Sequence, residues 1–106
     1  MDGETWDGRQ LTAARALAGL TVRDLAKLAH TTKRIVSELE TRGEIHVAET
    51  LKHGHVSREL WERIVAALCN AGAELLPEGR GHGAGVRWAR QRADRVGLGR
   101  ELIKQD

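Results

Sequence analysis

A chain of 106 residues fits one small domain with tails, and its 41% hydrophobic content includes three Trp but neither Phe nor Tyr, so the core must be built from Leu, Val, Ile and Ala. A formal net charge of +2 is too small to imply nucleic acid by itself. One cysteine (Cys69) rules out an intrachain disulfide, no apolar run approaches membrane-spanning length, and the acidic opening from Met1 to Asp7 lacks the apolar stretch of a signal peptide; the expected setting is soluble, reducing and cytoplasmic, with no membrane partner.

Helix starts are legible along the first half. Asp7 with Gln10 three residues on, flanked by Trp6 and Leu11, has the form of a capping box with a hydrophobic staple. The first helix then carries Leu11, Ala14, Leu17 and Ala18 at helical spacing and stops at Gly19. Thr21 with Asp24, between Leu20 and Leu25, repeats the pattern and opens a second helix over about 22–29. His30, Thr31 and Thr32 make a short turn. Thr32 caps a third helix over about 33–41 whose inward residues are Val36 and Leu39, and Gly43 ends it.

The stretch 44–56 is ambiguous by pattern. Val47 and Leu51 lie four apart and Gly54 suits a helix end, so a short helix is expected at about 47–53. Ser57 caps a clear helix to about residue 71, with Val56 and Trp61 as staple and Leu60, Trp61, Ile64, Val65 and Leu68 as its apolar stripe. Cys69, within that pattern, reads as a small core residue. Two short apolar runs, at 74–76 and 86–88, enclose Pro77 and the loop from Gly79 to Gly85, and read as a β-hairpin. From Arg80 to Lys104 seven Arg or Lys stand against Asp94 and Glu101, so the end of the chain is basic, either helical or disordered. The expected architecture is a mostly α, compact bundle of four to five helices with a small C-terminal β-hairpin, divided as 1–72, a hairpin extension at 73–89 that is a candidate dimer surface, and a tail at 90–106.

The run from Leu20 to Glu40 (LTVRDLAKLAHTTKRIVSELE) resembles, without gaps, the phage repressor and Cro-type helix-turn-helix family of Xre-like regulators. The likeness covers roughly residues 10–42, with a looser match at 57–72, and the 72–88 segment is similar to a Gly-rich hairpin extension found in a bacterial subgroup. The resemblance implies that the third helix lies in the major groove of double-stranded DNA. Lys33, Arg34 and Glu38 match the base-reading positions; Lys and Arg donate to guanine O6 and N7, and Glu accepts from cytosine N4. Thr31, Thr32 and Ser37 suit phosphate oxygens, as do Arg23 and Lys27 on the second helix. Arg15 and Glu40 match a pair that forms a partly buried salt bridge. Three departures stand out. His30 replaces the turn glycine, Val22 replaces a phosphate-anchoring Gln, and the connection at 43–56 is long.

What this implies is a sequence-specific transcriptional regulator, a repressor-like protein at the nucleoid, binding a palindromic operator as a homodimer. Two alternatives stay open: an antitoxin that binds DNA and a second protein partner, or an antiactivator-like interaction module that keeps the arrangement without binding DNA. Lys33, Arg34 and Glu38 also fit a plain solvated face with an Arg34–Glu38 pair at i, i+4. His46, His53, His55 and His82 lack a second ligand pair at structural-zinc spacing, so they read as loop histidines, and neither metal nor cofactor is expected. The glycine run lacks the Gly-Lys-Ser/Thr ending of a phosphate loop, and no nucleophile–base arrangement has a scaffold, so an enzyme is not expected. The basic tail reads equally as a solvated end or as an arm along the DNA backbone.

Overall fold

The computed structural model describes residues 4–49 and 54–89, and their element order is β1 (Glu4–Trp6), α1 (Gly8–Leu17), α2 (Val22–Leu28), α3 (Lys33–Glu40), β2 (Ile45–Ala48), β3 (His55–Ser57), α4 (Arg58–Asn70), β4 (Ala73–Leu76) and β5 (Gly85–Trp88). Four helices therefore share the described residues with two small sheets, one of three strands in the order β1-β2-β3 and one of two, β4-β5. This α/β globule corrects the expectation of a mostly α bundle of four to five helices. The error lies in 44–56 and at the N-terminus. Ile45 and Val47 are buried while His46 between them is exposed, the two-residue alternation of a strand. Val47 and Ala48 thus belong to β2 rather than to a helix at 47–53; residues 50–53 lie outside those described.

β1 pairs antiparallel with β2, placing Trp6 opposite Ile45, and β2 pairs parallel with β3, placing Val47 opposite Val56. Parallel neighbours are usually joined through a helix of a dozen or more residues. Here Ala48 and His55 are separated by six positions only, and no local pattern announces such a pairing. The C-terminal strands pair antiparallel from Ala73–Trp88 to Leu76–Gly85, as the two apolar runs predict.

One core serves all elements. Leu11, Leu25, Val36, Leu39, Ile45, Val47, Trp61, Ile64 and Leu68 are its large fully buried members, and Ala73 and Leu75 of β4 join the same cluster. The hairpin therefore shares the helices' core instead of hanging from it. Trp6 packs on Trp61 with ring centres 5.8 Å apart. Cys69 is exposed, contrary to its reading as a core residue; Ile64, Ala67, Leu68 and Ala71 turn that end of α4 inward and leave 69 outside.

The caps explain the helix boundaries. Thr21 and Asp24 form the expected capping box, with the Asp24 amide donating to the Thr21 hydroxyl at 3.0 Å and the Thr21 amide to the Asp24 carboxylate at 2.9 Å. Thr32 and Ser57 accept from the amides of Ile35 and Leu60. At α1 the box is not made. Asp7 accepts from the Arg9 amide, while Gln10 turns inward and donates from Nε2 to the carbonyls of Leu76 (2.7 Å) and Gly85 (2.9 Å), clamping the loop end of the C-terminal hairpin to α1.

Candidate nucleic-acid interface

The turn between α2 and α3 is built by backbone hydrogen bonds. The amide of Thr31 donates to Ala26 O at 2.8 Å and that of His30 to Lys27 O at 3.2 Å, the paired bonds of a Schellman motif, with His30 in the left-handed position at φ 56°. Glycine usually occupies that position because a Cβ is strained there. Histidine accepts the strain, and only residues 30–32 separate the C-cap of α2 at Ala29 from the start of α3 at Lys33.

α3 buries Val36 and Leu39 and leaves Lys33, Arg34 and Glu38 on its outer face. Arg34 is 88% exposed at its side chain and pairs with Glu38 at 3.1 Å along the helix. A pair of this kind on a solvated face contributes a few tenths of a kcal/mol, so it orders the surface without committing either group. Lys33 makes no ion pair among the described residues. Thr32 uses an oxygen lone pair for its cap and keeps its hydroxyl proton, while Thr31 and Ser37 are half-buried beside it. Arg23 and Lys27 stand four apart and exposed on α2, and Val22 is half-buried. Six of the eight DNA-contact positions expected from the sequence are therefore exposed and the other two, Thr31 and Ser37, half-buried, all on one pair of adjacent helices.

Behind this face, Arg15 of α1 grips Glu40 at the end of α3. Arg15 Nε donates to Oε2 at 2.7 Å and Nη2 to Oε1 at 3.0 Å, a two-bond fork, and Nη1 donates to the carbonyl of Leu20. The side chains are 19% and 9% exposed. The hydrogen bonds to Glu40 hold the Arg15 guanidinium above its ordinary pKa, with burial opposing and direct charge attraction adding to them. The hydroxyl of Thr12 donates to Oε1 as well, at 2.9 Å.

Several residues that hold α3 carry no sequence signal of their own. The amide of Gly8 donates to Arg42 O at 2.9 Å, and a Cβ on Gly8 would run into the carbonyl oxygens of Leu39, Glu40 and Arg42, so the start of α1 butts directly against the end of α3. Arg63 of α4 donates to the carbonyl of Ala29, the last buried residue before the turn. Ile35 is exposed on α3 and lines a cleft of about 270 Å³ with Glu38, Leu39 and Arg42 on one side and His55, Val56 and Leu60 on the other.

No helix among the described residues is long and apolar enough to cross a membrane. The basic tail and His53 lie outside the described residues. Compared with known proteins, the chain matches no family model, no curated protein and no solved structure.

Proposed function

We propose that the protein is a sequence-specific DNA-binding transcriptional regulator that inserts α3 into the major groove. The observation that carries this reading is the division of α3 itself. Its inner face is locked into the core and tied at both ends, by the Schellman turn at Thr31 and by the Arg15–Glu40 fork. Its outer face presents Lys33, Arg34 and Glu38, with hydroxyl groups of Thr31, Thr32 and Ser37 close by and Arg23 and Lys27 on the neighbouring helix. Base reading needs side chains held on a rigid element at fixed spacing, and phosphate contacts need short donors and cations around them. Groups of both kinds lie on α2, α3 and the turn between them, which supports this reading.

In this reading Arg34 takes a guanine edge in bidentate fashion, Lys33 a second guanine or an adjacent phosphate, and Glu38 a cytosine N4 amine. The Arg34–Glu38 pair would open or reorient on binding, which costs little because it is solvent-exposed. A single helix reads few base pairs, so a homodimer on a palindromic site is the expected assembly, and the nucleoid the place of action. Selection of bound sequences from random duplex DNA tests the reading: a two-fold symmetric consensus supports it, and recovery of no sequence preference overturns it. A small protein encoded alongside and co-purifying with the chain would move the reading toward an antitoxin.

A further inference from the structure

One side chain of α3 is unexplained by a solvated, charged outer face. Ile35 is 37% exposed, and it and Trp88 are the only exposed large hydrophobic side chains among the described residues. Its surface neighbours are charged: Arg34 precedes it, Glu38 follows one turn later, and Arg42 lines the same cleft. At about 100° per residue, Ile35 stands about 60° from Glu38 in one direction and about 40° from Leu39 in the other. Leu39 is buried, so Ile35 occupies the rim between the outer face of α3 and the core.

The direction of the side chain is fixed. Isoleucine in a helix has one strongly preferred χ1 rotamer, so its exposed methyl groups are presented one way. Leu39, Val56 and Leu60 share the cleft of about 270 Å³ with it, and all three belong to the core or pack against it. The apolar surface at 35 is therefore held on a rigid element, as a recognition contact requires.

We infer, on the DNA-binding reading proposed above, that Ile35 is a further base-reading residue, which packs on the C5-methyl group of a thymine in the major groove. That methyl is the one feature of the major-groove code read by apolar contact instead of by a hydrogen bond. The surroundings of Ile35 select this occupant. It is an apolar spot one side chain wide on α3, bounded by Arg34 and Arg42 against the single acid Glu38. A lone methyl group carried on a polyanion matches both the size and the charge. An apolar protein partner needs a contiguous patch, and on α3 the patch ends at charged residues. The axial rise from Ile35 to Glu38 is about 4.5 Å. Base pairs follow one another at about 3.4 Å, which sets the thymine within one or two base pairs of the cytosine assigned to Glu38.

Deoxyuridine differs from thymidine in duplex DNA only by lacking this methyl, so replacing each thymine of the selected site in turn isolates the contact. The parent is expected to lose about three- to fivefold in affinity at one position in each half-site, the value of burying about one methyl group. Ile35→Ala should bind the thymine and deoxyuridine forms of that position equally, while keeping its preferences at the base pairs assigned to Arg34 and Glu38. Ile35→Val should retain part of the discrimination, and it carries the test if a thermal melt shows that alanine at this rim unfolds the domain. The assignment is overturned if no deoxyuridine substitution weakens the parent, or if the Ile35 variants respond to deoxyuridine as the parent does. A defined consensus that is indifferent to the methyl removes Ile35 alone, whereas recovery of no sequence preference removes the DNA-binding reading and Ile35 with it.

Discussion

Replacing Arg15 by Ala tests how the outer face of α3 is held in place. Glu40 is 9% exposed and accepts three hydrogen bonds, two from Arg15 and one from Thr12. Truncation of Arg15 removes the two charge-assisted bonds and leaves a nearly buried carboxylate with a single hydroxyl partner. It also frees the Leu20 carbonyl in the turn between α1 and α2. Breaking a buried pair from one side costs about 3–5 kcal/mol when both groups are dry. Arg15 is 19% exposed, so water reaches the gap and lowers the figure to about 2–3 kcal/mol. For a domain of this size that corresponds to roughly 10–20 °C in Tm.

Thermal melts and guanidinium titrations at pH 7 read the loss, and a double-mutant cycle with Glu40→Gln isolates the pair. A loss below about 0.5 kcal/mol at pH 7, or additive single and double variants, would refute the view that this fork fixes α3.

Other perturbations separate binding from folding. Arg34→Ala should leave the melt within about 0.5 kcal/mol of the parent, since it removes only an exposed pair, while costing about 1–3 kcal/mol of specific DNA affinity in a mobility shift; unchanged affinity for the selected site would remove Arg34 from the base-reading set. His30→Gly should stabilise by up to about 1 kcal/mol because it relieves the left-handed backbone at φ 56°, and a lower Tm would mean that the imidazole contributes something the turn geometry does not account for. Gly8→Ala should destabilise by at least about 2 kcal/mol, since its Cβ meets three backbone carbonyl oxygens that no side-chain rotation can move; an unchanged melt would contradict the close docking of α1 on α3.

Local chemistry made much of the first half of the chain legible. A capping box is a reciprocal pair of hydrogen bonds within four residues, so Thr21 and Asp24 announce α2, and Thr32 and Ser57 announce α3 and α4 by the same logic. Helical periodicity put Val36 and Leu39 inward, and the contrast of turn residues with short apolar runs was enough for β4 and β5. The pattern from Leu20 to Glu40 spans the very elements that bring the outer face of α3 together. Gln10 shows the limit of such reasoning: its spacing from Asp7 is right for a box, and its side chain nevertheless leaves for two carbonyls more than sixty positions away, which come within its reach only once the hairpin packs on α1.

What only the tertiary structure decided is non-local. β1, β2 and β3 are three or four residues long, too short for periodicity to show, and each exists because the others supply its backbone partners. Their register alone brings Thr5, His46 and His55 into one row and Trp6 onto Trp61. The exposure of Cys69 and Ile35, and the need for glycine at position 8, likewise follow from which neighbour arrives, and a residue's own neighbours in the chain carry no record of that. Hydrogen bonds that close within a helical turn are written in adjacent residues; contacts that close across the chain are set by the packing of the whole core.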